Sequence, residues 1–189
     1  MERDFDTNLV KLCAPTLAGL KPASLFRLEM QDAAQFAKKF CQCRARLRAR
    51  GVTIRVLKAC AKTKAYLIYV YREARLNAIL ADADNAAYLQ SCGYTAGQGC
   101  SGYLRQLSTR LCCEQAFPHE IGIFLGYPLE DVVGFVENKG RNYTHCGYWK
   151  SYGDPAKAAA VYERYRKCTE IYLHCFARGV PITRLTVAV

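Results

Sequence analysis

AYLIYVYR, residues 65–72, is apolar at odd and even positions alike until its closing arginine. A strand with one wet face alternates, because successive side chains point to opposite sides. A strand apolar on both faces belongs in the middle of a sheet, covered on both sides. The stretch therefore predicts a central strand. It is also the longest apolar run in the chain, far short of the roughly 20 residues that span a bilayer.

The neighbours follow from it. TIRVL (53–57) reads as a second strand, joined to the first by the turn-like ACAKTK. ASLFRL (23–28) is a third candidate. Between them Asp32 is placed to cap a helix that runs to about Arg50, where Gly51 stops it. Its apolar stripe is Ala33, Phe36, Ala37, Phe40, Cys43 and Leu47. Before the first strand, 8–19 starts as a short helix that Pro15 interrupts.

Downstream, helices are expected at about 74–91 and 101–114, a helical hairpin at about 118–139, and a strand at 146–152. Asp154-Pro155 is a strong helix start, an N-cap followed by proline at the first helical position. That helix runs to about Arg178 with the stripe Ala158, Val161, Tyr162, Tyr165, Cys168, Tyr172, Cys175 and Phe176, and Gly179 ends it. A last strand is expected at 182–187. The order predicts an α+β fold with helices on a small mixed sheet, residues 1–189 forming one domain, and a first half like part of a ferredoxin-like arrangement.

Composition limits function. The start MERDFDTNLVKL lacks the apolar core of a signal peptide, which places the protein in the cytoplasm with no membrane contact. Eleven Cys, an odd number, fit reduced thiols better than a disulfide scaffold, and suit an anaerobe. Lys and Arg number 27 against 16 acids, a formal charge of +11. Such a surface attracts an anionic small molecule, an acidic protein or a nucleic acid. The charge gathers at Lys38, Lys39, Arg44, Arg46, Arg48 and Arg50, with no acid among them, which makes these six the expected partner-binding residues.

PHEIGIFLGYPLEDVVGFVENKG (118–140) has the look of a helix-turn-helix. Gly126 can take the positive φ of the turn, and Gly122 lets the two helices approach. Yet a reading helix lays its N-terminal residues against bases and phosphates, and here those residues include Glu130 and Asp131. Phosphates repel them. A structural hairpin is the simpler reading.

The motifs for chemistry are sparse. No Cys pair has zinc or iron–sulfur spacing, and Cys41 and Cys43 point to different faces of a helix. No metal ligand and no cofactor is assigned. Gly97-Gln-Gly99-Cys100-Ser101-Gly102 opens a helix and can hold an anion on its backbone amides, but a dinucleotide fold needs a strand directly before it. A thiol enzyme would need Cys13, Cys100 or Cys146 beside one of the three His, His119 among them. Tyr148 and Lys150 share a face of the expected strand, with Trp149 opposite, as a stacking platform would require.

Five stretches taken together resemble one family: CAPTLAGLKPASLF (13–26), FPHEIGIFLGYPLEDVVGFVENKG (117–140), YWKSYGDPAKA (148–158), KCT (167–169) and the closing ITRLTVAV. They are similar to proteins of about this length from anaerobic clostridia and their relatives, a domain of unknown function numbered thirty-seven ninety-three. The resemblance implies no activity. Members commonly carry a His before the Cys of the first motif. Leu12 stands there in this chain, which argues against a metal or acid–base role at that corner.

The expectation is therefore a binding or accessory protein for an anionic or aromatic small molecule, or for an acidic partner such as a redox carrier. Its ligand contacts would be Lys21, His119, Lys150, Tyr148, Gly97 and Gly99. A nucleic-acid binder and a thiol- or metal-dependent enzyme are the alternatives.

Overall fold

A computed structural model describes residues 5–113 and 116–188. The fold is α+β, built as two compact units: Met1–Glu73 with Lys167–Val189, and Ala74–Arg166. No helix among the described residues is long and apolar enough to cross a membrane.

The first unit begins with α1 (Phe5–Leu17), β1 (Ala23–Glu29), α2 (Ala33–Arg48), β2 (Thr53–Cys60) and β3 (Ala65–Tyr71). β3 is central, as its two apolar faces require, in the order β1-β3-β2. Both neighbours run antiparallel to it, Phe26 opposite Ile68 and Ile54 opposite Val70. The sheet is therefore antiparallel rather than mixed. β1 and β2 are joined through a helix and separated by an inserted strand, the split β-α-β arrangement of ferredoxin-like folds. A bulge at Leu57 shifts the register of β2 and buries that side chain.

Asp32 caps α2 as expected, accepting from the amides of Ala34 and Gln35. Phe36, Cys43 and Leu47 are the buried members of its stripe, and the Phe36 ring stacks on Tyr66 of β3 at 3.6 Å. α1 differs from expectation, since it runs through Pro15 to Leu17. Residues 13–17 are all buried, and that packing outweighs the backbone bond the proline removes. The segment 182–187 is not a strand. Ile182–Leu185 forms a short helix, α9, with Ile182 and Leu185 buried in the same core as Leu9, Leu17 and Phe26.

The second unit holds all of α3 (Glu73–Ala81) after its first residue, α4 (Ala83–Ser91), α5 (Gly99–Cys113), α6 (Ile121–Phe124), α7 (Leu129–Glu137) and the two-residue strands β4 (His145–Cys146) and β5 (Lys150–Ser151). The helix expected at 74–91 is split because Asp82 caps a new start, accepting from the Asn85 amide. The expected end of the next helix at Glu114 lies outside the described residues. The strand expected at 146–152 is a tight hairpin, so alternation does not hold across its turn at residues 147–149. α8 (Pro155–Ala177) begins at the Asp154 cap, gives residues 155–166 to the second unit and 167–177 to the first, and ends before Gly179.

The α6–α7 hairpin forms as expected, with Gly126 at φ 79° in the turn. A Cβ on Gly122 would stand 2.6 Å from a Val132 methyl, which is why that position must be small.

Candidate functional site

α2 turns its charge outward. Lys38, Arg44, Arg46 and Arg48 are exposed, as is Arg50 in the turn just past the helix, which ends two residues sooner than expected, and Lys39 is half-buried. At about 100° per residue, Arg44 and Arg48 share one flank of the helix, and Lys39 and Arg46 the other. Arg46 is tied to Asp6 of α1 at 2.8 Å, a bond that holds its guanidinium more firmly protonated. Among the described residues, Lys38, Arg44, Arg48 and Arg50 make no ion pair. Beside the second flank lies an open groove of about 540 Å³, lined by Phe5, Asp6, Lys39, Gln42, Ala45 and Arg46.

The same unit buries two cations. Lys21 is 6% exposed, close to the fully buried Cys13. Burial lowers its ammonium pKa to about 8, against a smaller upward pull from Cys13. Burial likewise drives the Cys13 thiol well up. Thr16 and Ser24 share a hydrogen bond of 2.8 Å in the same corner. Arg72, 2% exposed, donates to the carbonyls of Thr16, Leu17 and Val187 and so closes the end of α1 onto the C-terminal segment.

The second unit buries two carboxylates. Glu120 is 7% exposed, and its Oε1 accepts from Tyr94 Oη at 3.1 Å and Arg110 Nε at 3.0 Å. The Arg110 guanidinium lies over the Tyr94 ring at 4.8 Å and donates to the Cys92 carbonyl. Glu120 thus ties α5 to the hairpin and does not cap α6. Asp131, in the first turn of α7, is 3% exposed. It does not guard the surface of that helix. Its Oδ1 accepts from Ser151 Oγ, Tyr152 N and Gly153 N, holding the β4–β5 hairpin across the start of α7. The N-terminal turn of the apparent reading helix is therefore occupied by the protein's own backbone.

Around this hairpin the aromatic residues pack in series. His119 meets Phe135 at 4.8 Å, Phe135 meets Trp149 at 5.3 Å, and Trp149 stacks on Tyr127 at 4.9 Å. Tyr148, exposed, rests edge-on against Tyr165 and accepts at its carbonyl from Tyr127 Oη. Lys150 bonds the Gly140 carbonyl at 2.6 Å and covers the Tyr143 ring. A cleft of about 90 Å³ opens among Tyr127, Asp131, Tyr162 and Tyr165. Burial pushes the Tyr162 phenol up to about 12 and raises Tyr127 and Tyr165 as well, so these rings stay neutral.

Of the expected ligand contacts, His119, Tyr148 and Lys150 thus lie around one hairpin of the second unit, each engaged with its own neighbours. Gly97 and Gly99 stand apart from them, at the start of α5. Both have positive φ, and a Cβ on either would meet nothing within 4 Å. They line a second open hollow, of about 370 Å³, where the Cys100 amide is taken by Asn77 Oδ1. Lys21 belongs to the interior of the first unit. All eleven cysteines are free, and Cys41 and Cys43 diverge as expected, one exposed and one buried. No cluster of His, Cys, Asp or Glu able to hold a metal occurs among the described residues.

Sequence reasoning missed Asp131 as a buried anchor and Tyr127, Tyr162 and Tyr165 as one wall. The signal for the tyrosines was present, since Tyr162 and Tyr165 sit on the stripe of α8. Nothing local linked them to residues 127 and 131.

The fold and its surfaces define an α+β protein with an exposed cationic helix and a tyrosine-lined cleft. The chain belongs to the family described as Protein of unknown function (DUF3793), whose profile matches residues 9–186. No curated protein and no solved structure matches it.

Proposed function

We propose that the chain is a binding protein that docks an acidic partner protein on α2. The observation that carries this reading is the set Lys38, Arg44 and Arg48 on a helix that has no acid, with Arg50 in the turn just after it, all exposed and, among the described residues, without ion pairs. Exposed like charges raise the free energy of the isolated surface and speed encounter with an opposite one. The groove lined by Lys39 and Arg46 lies on the other flank of α2 and is no part of this set.

The test is binding of fluorescent poly-L-glutamate, with random-sequence duplex DNA in parallel. Binding of poly-L-glutamate should fall as salt rises. Arg44→Glu with Arg48→Glu should weaken it about thirtyfold, at roughly 1 kcal/mol for each reversed charge. Lys62→Glu with Lys64→Glu, equal in charge but in the β2–β3 turn, should leave it unchanged. Equal loss in both variants reduces the reading to net charge alone. A marked preference for the duplex transfers it to nucleic acid.

A further inference from the structure

The cleft in the second unit has the opposite character to α2. Its volume is about 90 Å³, and Tyr127, Tyr162, Tyr165, Asp131, Glu130 and Asp154 stand around it. Asp131 is the informative member. It is almost fully buried, yet all three of its hydrogen bonds fall on Oδ1. Among the described residues nothing donates to Oδ2 and no cation pairs with the carboxylate. A buried anion with one oxygen unanswered, on the wall of a cavity, favours a positive group in that cavity.

The rest of the lining decides which kind. The ligand must meet phenol rings as well as carboxylates, and ring faces attract organic cations through their quadrupole. The volume sets the size. A cavity of about 150 Å³ takes benzene, so this one admits a head group of a few methyls and no aromatic system. Pro128, Ala158 and Val161 complete an apolar floor for those methyls.

We propose that this cleft binds a small alkylammonium ion, its methyl groups against Tyr127, Tyr162 and Tyr165 and its charge answered by Asp131 Oδ2. The site is independent of docking on α2 and needs no part of it. Lys157 lines the same cleft and is the internal competitor for the carboxylate.

The experiment is a titration of the full chain with tetramethylammonium chloride, followed by tyrosine and tryptophan fluorescence. Sodium chloride at equal ionic strength is the control. The expected result is a saturable change at millimolar concentration that sodium does not produce. Tyr165→Leu, which lies outside the hydrogen bonds of Asp131, should weaken binding roughly tenfold while the circular dichroism spectrum is kept. Lys157→Met should tighten it. A response that is linear, or the same with sodium, overturns the proposal. So does an affinity that Tyr165→Leu leaves unchanged, and this arm stands even where substitution of Asp131 unfolds the chain.

Discussion

The two units bury opposite charges. The sheet unit encloses Lys21 and Arg72, and the aromatic unit encloses Glu120 and Asp131. They also satisfy them differently. Arg72 meets three backbone carbonyls, whereas the carboxylates meet backbone amides, hydroxyls and one guanidinium. Among the described residues burial removes as many cations as acids, so their positive excess stays on the surface, with a dense part of it along α2. The comparison teaches that the interior charges are fold determinants and the exterior ones are available for binding.

The sharpest way to break this contrast is at Arg72. Arg72→Met leaves the buried carbonyls of Thr16 and Leu17, and the part-buried carbonyl of Val187, without this donor, and should cost about 4 kcal/mol in urea unfolding. A loss near zero would show that water replaces the guanidinium.

Lys21 should behave in the opposite sense, because burial penalises its charge. Its pKa falls from 10.5 unfolded to about 8 folded. Below pH 8 both states carry the proton and the folded state bears the burial cost. Between pH 8 and 10.5 the unfolded state binds more protons, so this group adds stability as pH rises, roughly 3 kcal/mol over the window. The stability of wild type relative to Lys21→Met should therefore grow from pH 8 to 10.5. A flat difference would contradict the burial of the amine.

In the aromatic unit Asp131→Ala removes an acceptor from three donors and should cost about 2 kcal/mol, read as a lower urea midpoint with unchanged slope. The smallest effect is chemical. Cys60, hydrogen-bonded by Thr63, has a lowered pKa, whereas Cys13 is raised by burial. At neutral pH iodoacetamide should label Cys60 early and Cys13 only on unfolding, scored by mass spectrometry.

Much of the fold was legible because its signals are local. The two-faced apolar run at 65–72, the caps at Asp32 and Asp154, and Gly126 in the hairpin turn each act within a few residues. Three elements were not. Pro15 stays inside α1 because burial overrides a local preference. Asp82 restarts a helix in the middle of a continuous apolar pattern. Residues 182–185 have strand-like composition, yet they form a helical turn packed into the core of the first unit. The cationic helix could be read directly, since exposed charge needs no partner to be recognised. The tyrosine cleft could not, because it unites residues 127–131 with 151–165, and the buried role of Asp131 depends on a hairpin that alternation mistook for a strand.

The central claim is that α2 is the docking face. The direct test is phenylglyoxal footprinting of arginines, with and without saturating poly-L-glutamate, read by mass spectrometry. Protection should appear at Arg44, Arg48 and Arg50, while Arg105 and Arg141 of the second unit react as before. Protection centred on Arg141, or no protection anywhere, would contradict it.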